Sequence, residues 1–258
     1  MSTFEQGFAE VQRAAESTGK AATGVAAIAK QLSRAARQGD IGAIRRLTDR
    51  LAAASEAARQ EVADARTSWP FDADAEERYL RESYEDELLA AATAGDLRID
   101  RRDGALVAFP SIVRILAQGR ALKVDRRKVP MLRPSAVIAA LLANQARKPA
   151  FATERFLETL HRSYRIIVGN RGPGTVVPLA TVYESLTLLP GTAADYGTSD
   201  FARDLYLLDR SGVTRTRSGA RVSLPASTGT KGSKGVYTFV APDGQVLTYY
   251  GIRFDDAP

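Results

Sequence analysis

A chain of 258 residues with 45% hydrophobic content can bury one large core or two modest ones without covalent staples. Cysteine is absent and histidine occurs once, which excludes a disulfide framework and a thiolate nucleophile and leaves no ligand set for a structural metal or cofactor. Its 36 Lys and Arg against 30 Asp and Glu give a net charge of +6, which points to an acidic partner, nucleic acid first among them.

The longest apolar runs, such as residues 136–143, fall far short of the roughly 20 residues needed to cross a bilayer. Glu5 and Glu10 stand where a signal peptide would carry a basic segment and an apolar run, so the expected location is the cytoplasm, with no membrane partner. The charge is segregated along the chain. Residues 70–100 hold three basic and ten acidic side chains, whereas 101–150 hold eleven and two.

Residues 4–67 are rich in Ala, Arg, Gln and Glu without proline, a composition that favours helix throughout. Gly39 ends one helix and Asp40 caps the next, which predicts an antiparallel hairpin with Ile28, Leu32 and Ala35 facing Ile44, Leu47 and Leu51. The apolar period is weak, so the expectation is a short hairpin packed on the body of the protein or on a second copy, not a long coiled coil. Trp69-Pro70 closes this first segment, because the residue before proline is driven out of helical geometry.

A second helix is predicted over 75–93, with Tyr79, Leu80, Tyr84, Leu88 and Leu89 on its apolar side and the acidic block on the other. Then come LRID, the Asp103-Gly104 turn and ALVAF, which predict a β-hairpin. Ile112–Leu116 and Leu122–Val124 predict a further pair of strands. The basic residues of this region include Arg101, Arg102, Arg114, Arg120, Lys123, Arg126, Arg127, Lys128 and Arg133. Strand alternation places part of that set on one face, able to follow a phosphate backbone without reading sequence.

Ser135 caps a helix to about Ala146, and two more are predicted from Thr153 and from Pro178. The stretch SDFARDLYLLDRSGVTRTRSGARVSL, residues 199–224, predicts a helix bearing Phe201, Leu205 and Leu208, a stop at Gly212, and a basic hairpin turning at Ser218-Gly219. After it, ASTGTKGSKG is expected to be a loop and VYTFV to GIRF a closing hairpin. The glycine–lysine run lacks the spacing of a phosphate-binding P-loop. No Ser, His or Tyr stands in an arrangement that makes a nucleophile, so the chain is expected not to be an enzyme.

Three helices, then Gly212-Val213, then a basic hairpin resemble the winged-helix fold, over roughly the last hundred residues. The resemblance implies DNA binding or, in other members, protein docking. Asp200, Asp204 and Asp209 on the third helix argue against major-groove reading by that helix. The expected contacts are therefore mainly to the DNA backbone, from Arg203, Arg210, Arg215, Arg217, Arg221, Lys231 and Lys234, with Arg126, Arg127 and Lys128 from the basic sheet.

The expected architecture is α+β and mainly helical. It comprises a helical hairpin (1–69), an acidic helix with a small antiparallel sheet and a further helix (70–150), and a winged-helix-like domain with a closing hairpin (151–258). The expected function is non-enzymatic DNA binding. The alternative is a protein–protein adaptor subunit of a larger DNA-processing or genome-defence complex of bacterial type, docking through its helical hairpin and winged helix; a protein partner or a second copy is also expected at the N-terminal helices.

Overall fold

The computed structural model describes residues 2–147, 149–172, 174–225, 235–241 and 243–255. The fold is α+β and mainly helical. It divides into two compact units, Met1–Leu88 with Leu132–Ala136, and Leu89–Met131 with Val137–Pro258. Residues 70–88 fall with the N-terminal hairpin, and the small sheet falls with the C-terminal helices.

In the first unit, α1 (Phe4–Gln38) starts at Thr3, whose hydroxyl accepts the Gln6 N–H while the Gln6 side chain accepts the Thr3 N–H. It ends at Gly39, at φ 70°, and the Asp40 carboxylate then accepts the Ala43 N–H to open α2 (Ile41–Thr67). That turn is the one the sequence predicts. The helices of 35 and 27 residues are about 50 and 40 Å long.

Their seam is longer and more regular than the sequence suggests. On α1, Phe4, Gly7, Val11, Ala14, Thr18, Ala21, Val25, Ile28, Leu32 and Ala35 are all wholly or partly covered, at alternating spacings of three and four. On α2 the same spacing holds from Ile44 through Leu47, Leu51, Ala54, Ala58, Glu61 and Ala65 to Ser68. This is the heptad pattern of a two-helix coiled coil. Thr18 donates its hydroxyl to the Glu61 carbonyl at 3.2 Å, and that register pairs Ile28 with Leu51, Leu32 with Leu47 and Ala35 with Ile44. The expectation of a short hairpin is corrected: Ala, Gly and Thr occupy so many seam positions that the apolar period is faint although the geometric one is unbroken.

Phe4 anchors the base of this hairpin. It is 1% exposed, and the rings of Phe8, Trp69, Phe71, Tyr79 and Tyr84 surround it at centroid distances of 4.6–5.9 Å. Gly7 lets the helix approach this cluster, since a Cβ there would lie 2.9 Å from the Trp69 ring. The predicted acidic helix is two, α3 (Ala73–Glu82) and α4 (Tyr84–Ala94), broken at Ser83. Glu87 accepts the Phe4 and Glu5 N–H groups at 3.2 and 2.9 Å, placing a carboxylate on the positive end of α1.

The Glu5 carboxylate in turn accepts from the Ser135 N–H and hydroxyl and from Arg133. Partial burial works to raise its pKa, but the bonds from Ser135 and Arg133 prevail and hold it below the usual carboxylate range.

The second unit opens with a five-stranded antiparallel meander of β1 (Asp100–Arg102), β2 (Ala105–Ala108), β3 (Ser111–Leu116), β4 (Ala121–Val124) and β5 (Arg127–Val129). Both predicted strand pairs are present; the fifth strand and the β2–β3 pairing are additional. After α5 (Pro134–Gln145) come α6 (Thr153–Val168), β6 (Val177–Pro178), α7 (Leu179–Leu186), α8 (Thr192–Asp195) and α9 (Thr198–Arg210). The chain then forms β7 (Arg221–Ser223), β8 (Tyr237–Val240), β9 (Val246–Tyr249) and β10 (Gly251–Asp255). β10 lies between β6 and β7, antiparallel to both, and β8 pairs with β9.

Leu157 and Leu160 of α6, Leu179 and Val182 of α7, and Phe201 and Leu205 of α9 share one buried core with Ile112, Phe239 and Phe254. The hairpin expected over 213–224 is reduced to a bridge between Arg215 and Arg221 around a tight turn, and β7 gives its other edge to β10.

Two outcomes check this unit-level packing. Phe4→Ala removes the centre of the aromatic cluster and costs about 3–5 kcal/mol; Trp69, the only tryptophan in the chain, reports that destabilisation by fluorescence in a urea titration. Because the Glu5 pKa is lowered on folding, its stabilisation is present at neutral pH and disappears as pH falls through the folded value. The stability gap between wild type and Glu5→Gln is therefore full at neutral pH and closes as pH falls below the usual carboxylate range, when unfolding is followed by the same fluorescence.

Candidate nucleic-acid interface

The residue expected to head the contact surface lies in the interior. Arg203 is 7% exposed, and its guanidinium donates to the Asp204 carboxylate at 3.0 and 3.1 Å and to Asp125 at 2.8 Å. Burial works against its charge, but the Asp204 and Asp125 carboxylates outweigh that and raise its pKa. Arg203 is thus corrected from a phosphate contact to an internal counter-ion. Burial pushes the Asp204 carboxyl up, against the pull of Arg203 and of the Tyr196 hydroxyl, which donates to it at 2.9 Å.

Of the three acidic residues that the sequence sets against phosphate, Asp200 and Asp204 are also withdrawn, while Asp209 stays exposed. Asp200 is fully buried, accepting from Arg114 at 2.6 Å and from the Gly197 N–H at 3.1 Å. It sits in the first turn of α9, not at the cap, which is Gly197. Asp209 accepts from the Tyr249 hydroxyl at 3.1 Å. Nine of the 13 residues of α9 are buried, from Ser199 to Tyr206 and at Leu208, so this helix is a core element and offers no groove-reading face.

Asp125 and Arg126 form the turn between β4 and β5, both with positive φ, 47° and 71°. The Asp125 carboxylate accepts from the Ser111 hydroxyl and the Ile112 N–H, which fixes the turn against β3. Arg126 is held out over the Tyr196 ring, 5.6 Å from its centroid. Beside it opens a cleft of about 770 Å³, lined by Arg126, Arg127, Asn144, Arg147 and Phe151, with Arg203 and Asp204 among its walls. Among the described residues Arg127 and Arg147 have no carboxylate partner, so their charge faces the cleft.

A second basic surface lies on α6. Arg155 and Arg162 are seven residues apart on one helix face. With Glu158, Thr159 and Arg217 they line a shallow depression of about 440 Å³. The Glu158 carboxylate accepts the Arg217 N–H at 2.6 Å, and the Thr216 N–H donates to the Ala220 carbonyl at 2.9 Å, so the turn carrying Arg217 is pinned to the helix.

Of the remaining expected contacts, Arg215, Arg221 and Lys128 are exposed, Arg215 donating to the Gly219 carbonyl at 3.3 Å. Arg210 is exposed and lies 5.9 Å from the Tyr206 ring centroid. Lys231 and Lys234 lie outside the described residues. The structure brings Arg126 and Arg127 into one cleft and Arg217 onto α6. It adds Arg147, Asn144, Phe151, Arg155 and Arg162, of which only the 155/162 spacing carried a signal in the sequence.

Among the described residues no group of three or more His, Cys, Asp or Glu could hold a metal ion, and no helix is long and apolar enough to cross a membrane. Compared with known proteins, the chain matches no family model, no curated protein and no solved structure.

Two substitutions separate scaffold from surface. Arg203→Met leaves the buried Asp204 carboxylate without its counter-ion, and takes one partner from the partly exposed Asp125, which lowers stability by about 3–5 kcal/mol in urea unfolding followed by far-UV circular dichroism. Arg126→Gly relieves a left-handed backbone cost of about 1–2 kcal/mol while forgoing a cation–ring attraction of about 0.5–1 kcal/mol, so stability is unchanged or slightly raised by the same measurement.

Proposed function

We propose that the second unit binds the phosphate backbone of DNA, without chemistry of its own, through arginines displayed around a winged-helix-like core. The observation that carries this reading is the exposed set Arg155, Arg162 and Arg217, held on a rigid helix and a pinned turn with Glu158 as the one carboxylate lining the same depression. Arg126, Arg127 and Arg147 supply a second cationic surface in the same unit. The order α6, α7, α9, then a basic turn, with an antiparallel sheet of β6, β10 and β7 beside it, supports the winged-helix resemblance.

Because α9 is packed into the core, the reading is one of backbone contact with little base discrimination. Buried phenols support a non-enzymatic role. Tyr237 and Tyr249 are 8% and 6% exposed, and burial raises both pKa values, which disfavours the phenolate that strand cleavage would need. A second reading, docking to other proteins, is favoured by the long hairpin, in which α2 has no buried residue.

Fluorescence anisotropy of labelled random duplex DNA, titrated with the full chain at several salt concentrations, tests the proposal. Replacing Arg155, Arg162 and Arg217 together by Ala weakens binding and reduces the salt slope by about one unit for each phosphate that no longer meets a cation. Unaltered affinity in that variant, or no binding by the wild type at about 50 mM salt, contradicts it and favours the docking role.

A further inference from the structure

We infer that one broad face of the α1–α2 hairpin is a self-association surface, on which the hairpin of a second copy packs antiparallel, tip against base, to complete a four-helix bundle. The inference is independent of the DNA-binding reading, since it concerns the first unit alone.

In an antiparallel coiled coil the positions just after the second apolar residue of each heptad, the e positions, meet their counterparts across one side of the seam. At the base of this hairpin those positions are Phe8 and Trp69, whose rings lie 4.9 Å apart, which locates that side. Moving one heptad at a time toward the tip, α1 places Ala15, Ala22, Ala29 and Ala36 there, all exposed. From the partner strand of the seam α2 places Val62, Ser55, Thr48 and Ile41.

No charge occurs at any of these positions, although e positions ordinarily carry the Glu and Lys of a two-stranded coil. Ile41 and Val62 are 67% and 48% exposed on that face, large apolar side chains left in water at both ends of the stripe. A two-helix coil with an alanine-rich seam buries little area per residue, so a second layer is what its energetics require.

Charge selects the occupant. Residues 30–50, around the tip, carry six basic and two acidic side chains, whereas 72–87, beside the base, carry two and eight. A second copy laid head to tail sets each basic tip against an acidic base, twice over, by the symmetry of a two-fold dimer. Laid parallel, it would set like against like. A face of about 40 by 20 Å buries on the order of 800 Å² on each copy, the size of a standard stable interface.

Light scattering on the full chain at tens of micromolar tests this, with a mass of twice 27.8 kDa expected. Ala29→Glu combined with Val62→Glu yields a monomer of undiminished helical circular dichroism, because both positions lie outside the intramolecular seam. Ala57→Glu, an exposed position on the opposite face, stays dimeric. Since the chain has no cysteine, single thiols report the orientation. Ala22→Cys, at the middle of the face and so close to the two-fold axis, oxidises to a covalent dimer, and Ala36→Cys, at the tip, does not. A monomeric wild type, or a dimer that survives the double glutamate substitution, overturns the proposed surface. Efficient cross-linking through Ala36→Cys overturns the antiparallel orientation.

Discussion

The ion pair between Arg203 and the carboxylates of Asp125 and Asp204 decides what the second unit can show to a partner. Asp125 accepts at once from Arg203, from the Ser111 hydroxyl and from the Ile112 N–H, so one carboxylate ties α9 to β3 and to the β4–β5 turn. A buried charge is tolerated only when it is paired and hydrogen-bonded, and this one has both conditions met. The consequence is topological. With α9 drawn inward by its charged residues as well as by Phe201 and Leu205, it keeps Arg210 alone of its two arginines at the surface, and the clustered cations are those of α6, the β4–β5 turn and the 216–219 turn.

Those cations are displayed on backbone that has little freedom to move. Arg217 is carried by a turn closed through Thr216 and Ala220 and clamped by Glu158. Arg126 occupies a left-handed position where glycine would be less costly, and its side chain is steadied by Tyr196. Pre-set positive groups of this kind lose little entropy on meeting a regular polyanion, and they recognise spacing of charge in preference to base identity. The first unit uses charge differently. There Glu87 and Glu5 are structural, fixing the start of α1 through backbone N–H groups and through Arg133 and Ser135.

Local chemistry was legible in the sequence wherever a single residue dictates the backbone. Gly39-Asp40 closes one helix and opens the next as expected, and Asp103-Gly104 makes its turn with φ values of 48° and 69°. What pairing and burial decide was not legible. The seam of α1 and α2 keeps heptad spacing through Ala14, Thr18, Ala21 and Ala58, residues too small or too polar to register as a hydrophobic period. On α9 the alternation of Asp and Arg reads as a solvated face, yet Asp200, Arg203 and Asp204 neutralise one another and Arg114 inside the core. The cleft was half visible: Arg126 and Arg127 stand in a basic run, but Arg147 and Phe151 reach it only through the fold.

Hydrogen exchange of the full chain, with and without random duplex DNA at low salt, tests most directly where the partner binds. Backbone contact by the displayed arginines slows exchange around residues 155–162, 216–219 and 125–127, and leaves the already protected interior of α9 unchanged. Protection confined to the α1–α2 hairpin, or no change anywhere in the second unit, would contradict it.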